Sequence, residues 1–155
     1  MTRYTVEFSV DWVHGWQRAG TNSKTKSHFT QERTRNDMYE IATKYKGESL
    51  RRYGRVVSAP KGVPVHVKMD FYKTEPKERP SYIPKWVEGL PFVVKPDVDN
   101  SKHILDALNK VAWHDDAQVV TEYKTKHDRT GVRHDRTVVT VVFDLEESNG
   151  KHRIA

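Results

Sequence analysis

Three stretches of this chain alternate apolar and polar residues, and that period of two restricts the fold more than any other feature. Tyr4, Val6, Phe8 and Val10 would share one face of a strand at 4–10. Val65, Val67, Met69 and Phe71 repeat the pattern within 63–72, opposite His66, Lys68 and Asp70. Val139, Val141 and Phe143 repeat it within 137–145, opposite Val138, Thr140 and Val142. A fourth strand fits 119–126. Each strand has one apolar face and needs a second layer to cover it.

Two segments offer that layer. Residues 30–52 read as a helix, with Thr30 as cap, a possible break at Gly47, and an apolar stripe at Met38, Tyr39, Ile41, Ala42 and Tyr45. Residues 101–113 read as a second helix, with Ile104, Leu105, Leu108, Val111 and Ala112 at helical spacing and a cap from Asn100 or Ser101. The order strand, helix, strand, helix, strand, strand predicts an α/β (α+β) fold. It has a small mixed sheet of about four strands and two main helices. We expect one domain over 1–145 and a polar tail at 146–155. Residues 14–30 read as a basic loop. Residues 74–96 read as a second loop, held out of helix by Pro76, Pro80, Pro84 and Pro91, with Pro96 closing it.

Composition narrows the chemistry. The 155 residues include no cysteine, which excludes disulfides, Cys-ligated zinc, iron–sulfur clusters and thiol nucleophiles. No apolar run approaches a membrane span and no signal-type stretch opens the chain, so a cytoplasmic protein without membrane contact is expected. The net charge of +6 is uneven: residues 1–75 hold 14 Lys/Arg against 8 Asp/Glu, and 76–155 hold 13 of each. A basic surface of this kind suits nucleic-acid phosphates.

The chemistry concentrates at 95–118. Lys95-Pro96-Asp97-Val98-Asp99-Asn100 precedes the second helix, and His114-Asp115-Asp116-Ala117-Gln118 follows it. Asp97 and Asp99 fall on one side of an extended backbone. A strand returning alongside would bring Asp116 to them. Three converging carboxylates with no lysine bridge repel each other, and a hard divalent cation relieves that. Oxygen-only ligands suit magnesium, manganese or calcium over zinc. The plainer reading is that these residues are helix caps and a polar turn. Capping, however, uses only one of Asp97, Asp99 and Asn100. His103 and His114, about 16 Å apart along such a helix, read as surface histidines. Trp113 reads as core.

Residues 95–126 resemble the RusA family of Holliday junction resolvases. The shared pattern is Lys-Pro-Asp-x-Asp-Asn, a helix carrying Asp-Ala-Leu-Asn, Asp-Asp-x-Gln-Val, and a lysine on the next strand. The resemblance implies a homodimeric RusA-like fold and a magnesium-dependent endonuclease, with manganese as a possible substitute. Its implied substrate is four-way DNA, in recombination and repair, and the family is frequent in phages and prophages. It places the metal-binding, catalytic aspartates on Asp97, Asp99 and Asp116. Lys95, Lys124 and Lys126 become DNA contacts, joined by Lys24, Lys26, Arg33 and Arg35 of the basic half. One departure stands out. The family places two residues between the Asn and a catalytic lysine; here only Ser101 separates Asn100 from Lys102. The role falls on Lys102 or, by forward count, on His103. The helix stripe favours Lys102. A catalytically inactive branched-DNA-binding protein, or a nuclease for other branched DNA, is the alternative.

Overall fold

The computed structural model describes residues 1–15, 20–21, 28–29 and 32–146, excepting the side chains of 20, 21, 28, 29, 99 and 100. Strand β1 (Thr2–Val10) leads to a short pair, β2 (Gly20–Thr21) and β3 (His28–Phe29). Helix α1 (Glu32–Tyr53), β4 (Val65–Tyr72), α2 (Lys102–Leu108), β5 (Val119–Lys126) and β6 (Arg136–Leu145) follow. The main sheet runs β1-β6-β4-β5. Only β4 and β5 pair in parallel; β1 with β6 and β4 with β6 are antiparallel. The fold is therefore α+β with a four-stranded mixed sheet, as the alternation predicts.

The alternating residues do what their period requires. Tyr4, Val6, Phe8 and Val10, then Val65, Val67, Met69 and Phe71, then Val139, Val141, Phe143 and Leu145 are all buried on one side. Helices α1 and α2 pack against each other over this core, with α1 also against β1.

Helix α1 runs unbroken through Gly47, with Glu32 in its first turn and Arg51 and Arg52 in its last, each complementing the helix dipole. The expected Thr30 cap lies outside the described residues. Its buried stripe is Thr34, Asp37, Ile41, Tyr45 and Ser49. Tyr39, expected in that stripe, is 77 % exposed. Asp37 and Ser49 hold stripe positions because each finds a hydrogen-bond partner. The Ser49 hydroxyl, for example, donates to the Arg55 carbonyl at 2.9 Å and accepts the Val57 amide at 2.6 Å. The basic segment at 14–30 is not all loop, since it contains the β2–β3 pair.

The second helix differs most from expectation. It is α-helical only over Lys102–Leu108, after a 3-10 turn at Val98–Ser101. Asn109 leaves helical geometry (ψ 132°) and Lys110 takes φ 68°. The Lys110 amide then donates to the Trp113 carbonyl at 2.9 Å. Val111, Ala112 and Trp113 therefore lie in a turn, not on a helical stripe. That turn drives the Trp113 side chain fully into the core. It also brings the chain back towards the sheet within a few residues.

Candidate active site

The Asp115–Asp116 corner is held by a dense hydrogen-bond set. Asp115 caps a 3-10 turn (Asp116–Gln118): its Oδ1 accepts the Ala117 amide at 2.9 Å. Gln118 closes the capping box. Its Oε1 accepts the His114 and Asp115 amides at 2.9 and 2.8 Å. Its Nε2 donates to the Pro60 and Val63 carbonyls at 2.7 and 3.0 Å, tying the corner to the loop before β4. The plain reading of Asp115 as a turn residue thus holds.

Asp116 is different. It is exposed, and its Oδ1 accepts the Trp113 indole N–H at 2.8 Å. Its other oxygen has no hydrogen bond among the described residues. Because Trp113 is locked in the core, this bond aims an exposed carboxylate from a rigid anchor. Asp106, one turn into α2, lies in the field of both Asp116 and Lys102. Its carboxyl is raised above the usual range, chiefly by desolvation; Lys102 opposes the rise and Asp116 adds to it.

At the other end of the motif, Asp97 stands at the N-cap of the 3-10 turn but makes no capping bond. Ser101 caps nothing either, since its hydroxyl donates to the Val98 carbonyl at 2.9 Å. Among the described residues, the one side chain bonded to Asp97 is Lys95, with Nζ 3.3 and 3.2 Å from its two oxygens. So a lysine bridge is present where none was expected. The pair is largely exposed, 82 % for Lys95 and 56 % for Asp97. Exposed pairs contribute about 0–1 kcal/mol, so Asp97 is available to a competing cation at little cost.

Lys126 lies in the electrostatic field of Asp97. Its Nζ donates to the Val94 carbonyl at 2.9 Å and lies 4.4 Å from the centre of the Phe92 ring. Burial lowers its pKa first, with Lys73 and Lys95 pushing the same way and Asp97 opposing. Lys124 shares the helix-facing side of β5, where it pairs with Glu122 at 2.9 Å.

The site residues therefore form two groups: Asp97 with Lys95 and Lys126, and Asp116 with Asp106 and Lys102. The turn at 98–101 links them, packing on β5 and leading into α2. Asp99 lies on that turn, its side chain outside the described residues. No group of three metal-ligating side chains forms among the described residues. The donor set is nonetheless all carboxylate oxygen, which fits a hard divalent cation.

Lys102 is exposed and faces Asp106, whereas His103 is 2 % exposed. This corrects the expectation of a surface histidine. The His103 ring is stacked on Trp12 and sits 3.4 Å from the Asp37 carboxylate without hydrogen-bond geometry. Asp37 is instead bonded by His14 Nε2 at 2.5 Å. Burial holds the His103 ring down to about 4. His114 is exposed, as expected.

Of the remaining basic residues, Arg35 is exposed on α1, and Arg33 donates to the Gly15 carbonyl at 2.9 Å. Lys24 and Lys26 lie outside the described residues. Sequence reasoning did not give Trp113 and Gln118 their positioning roles. The Asp-Asp-Ala-Gln spacing signals the Gln118 capping box, but nothing signals the Trp113 bond.

The profile of the RusA endodeoxyribonuclease family matches residues 13–142. The chain belongs to the RusA endodeoxyribonuclease family. That span begins after β1 and covers both helices, β4, β5, most of β6 and every described site residue. No curated protein matches the chain at a significant level. RusA-family membership makes the chain an endodeoxyribonuclease, a hydrolase of DNA phosphodiester bonds. No helix among the described residues is long and apolar enough to cross a membrane.

Proposed function

We propose that this chain is a cytoplasmic, magnesium-dependent endonuclease that resolves four-way DNA junctions by paired cuts in recombination and repair. The observation that carries the reading is the idle state of Asp97. It occupies a cap position, caps nothing, and keeps an exposed carboxylate on a weak, exchangeable ion pair. A carboxylate retained only for turn structure would make the cap bond.

Asp97, Asp99 and Asp116 hold the cation in this reading. When bound there, magnesium supplies charge neutralisation and Lewis acidity towards the phosphate, with manganese able to substitute. Trp113 aims Asp116. Lys102, exposed at the start of α2, stabilises negative charge developing on the leaving oxygen. Lys126 keeps its ammonium in the field of Asp97 and meets an adjacent phosphate. Lys24, Lys26, Arg33, Arg35, Lys95 and Lys124 supply further backbone contacts. Symmetric cuts need two sites, which a two-fold homodimer provides. Self-association is supported by the outer edge of β5, where Val120 and Tyr123 are exposed large residues on a strand with no outer neighbour among the described residues.

The test is incubation of a synthetic four-way junction with the protein, in magnesium or in EDTA, beside linear duplex of the same sequence. Paired nicks in the junction alone, lost in EDTA, are expected. Tight junction binding without cleavage in magnesium or manganese would leave a binding protein. Faster cutting of flaps or forks would move the substrate to other branched DNA.

A further inference from the structure

A concave space of about 350 Å³ lies where four chain segments meet. His14 and Gly15 contribute from the segment after β1, Arg33 from the start of α1, Lys73 from the residue after β4, and Lys95 from the motif loop. Among the described residues, three cations line it and no carboxylate does. We propose that this cup seats a backbone phosphate of the bound DNA strand, next to the one that is cut, and that Lys73 is the residue that grips it. The proposal rests on the junction-nuclease reading above.

Four observations support it. First, the cup is built rather than incidental. Arg33 is anchored by its bond to the Gly15 carbonyl, which leaves other guanidinium N–H groups free to donate in a fixed plane. Second, Lys73 is half-buried and forms no ion pair among the described residues. A lysine of that kind is less hydrated than a surface lysine and better placed to meet an anion. Third, three like charges around one concavity repel, and a phosphate relieves the repulsion. Asp37 is bonded to His14 and does not line the cup; Asp135, which interacts electrostatically with Lys73, does not line it either, its Oδ1 accepting from the Thr74 amide and hydroxyl at 2.7 and 2.6 Å.

Fourth, the cup adjoins the cutting site. Pro96 is part of its wall, and the next residue is Asp97. Lys73, Lys95 and Asp97 all act electrostatically on Lys126, so the cup and the Asp97 end share one field. A strand whose scissile phosphate lies at Asp97 therefore passes a neighbouring phosphate over this cup. Scattered surface lysines would be a plainer account of the charge. It does not explain why residues from four segments converge on one cavity.

The test uses the full chain. Junction binding is measured in EDTA across a salt series for wild type, Lys73→Ala, Lys73→Arg and Lys85→Ala, with thermal melts to confirm folding. Lys85 is exposed in the Pro-rich loop and does not line the cup. Loss of one phosphate contact should weaken Lys73→Ala about tenfold and reduce the slope of log K against log salt by about one. Lys73→Arg should keep most of both, and Lys85→Ala should match wild type. In parallel, inorganic phosphate is titrated against the labelled protein by NMR, with amide shifts expected at Gly15 and Lys73. If Lys73→Ala binds with wild-type affinity and slope while the wild type cuts junctions, the cup is refuted and the nuclease reading stands. If the wild type neither binds nor cuts junctions, the nuclease reading fails, and the DNA role of the cup fails with it. Phosphate shifts at Gly15 and Lys73 would then retain a bare anion site, and their absence would remove that too.

Discussion

The two ends of the 95–118 motif carry the same kind of group on very different supports. Asp116 sits on a corner fixed by a capping box, a glutamine spanning two loops, and an indole anchored in the core. Asp97 sits on a turn whose described side-chain support is the Ser101–Val98 bond and one exposed lysine. The fold thus preorganises one carboxylate and leaves the other adjustable. A site built this way has a rigid reference point and a partner that can close on a cation or a phosphate without straining the sheet.

The largest effect expected from breaking this arrangement is on chemistry at either carboxylate. Asp116→Asn should lower the single-turnover cleavage rate by about a thousandfold, the scale of losing several kcal/mol of charge stabilisation. Its melting temperature should barely move, because asparagine can still accept the indole N–H. A Tm drop comparable to that of a core mutant would show the carboxylate to be structural.

Next comes the scaffold. Gln118→Leu removes the partners of two amides and two carbonyls at a buried position. We expect it to cost about 2–4 kcal/mol in urea unfolding. Trp113→Phe should keep most of the core but lose the Asp116 bond, costing about 1–2 kcal/mol. Its cleavage rate should fall more than its junction affinity. Equal falls in both would mean that the indole does not aim Asp116.

These contrasts show how much the sequence carries. The alternation at 4–10, 63–72 and 137–145 is a local property with period two, and it places these strands and their buried face to within two residues. The end of α2 is not local. The apolar residues Val111 and Ala112 continue a helical stripe on paper, yet Asn109 and Lys110 turn the chain so that Trp113 enters the core. Only tertiary packing decides that. Asp37 and His103 are hidden for the same reason, since a polar residue on a helix gives no sign that another element will bury it. The spacing of Asp97, Asp99 and Asp116 marks the chemistry well, but not that Asp116 is rigid and Asp97 is not.

A smaller effect concerns pH. His103 faces Asp37, His14 and Arg33, and its folded pKa of about 4 lies below the unfolded value of about 6.5. The unfolded chain therefore takes up the proton first. This stability is complete above pH 6.5, falls as pH drops towards 4, and levels off below that, by up to about 3 kcal/mol in all. Asp37, raised by burial, acts in the opposite direction: it favours folding at low pH, and its contribution is lost as pH rises through its folded pKa. Urea unfolding at pH 7 and pH 5 should show wild type losing stability and His103→Leu losing less. Equal losses would assign the acid sensitivity elsewhere. The smallest effect is at Lys95→Ala, expected within about 0.5 kcal/mol of wild type in stability because its ion pair is exposed. A larger change would mean that the Asp97 end is as rigid as the Asp116 end.

The central claim is that a rigid carboxylate and an adjustable one serve a single cation-dependent cut. A double-mutant cycle tests it directly: single-turnover junction cleavage in magnesium for wild type, Asp97→Asn, Asp116→Asn and the double variant. Groups that act as one unit are strongly non-additive. A double variant no slower than the slower single variant is expected. Losses that multiply, each carboxylate costing the same with or without the other, would contradict it and separate the two groups into independent roles.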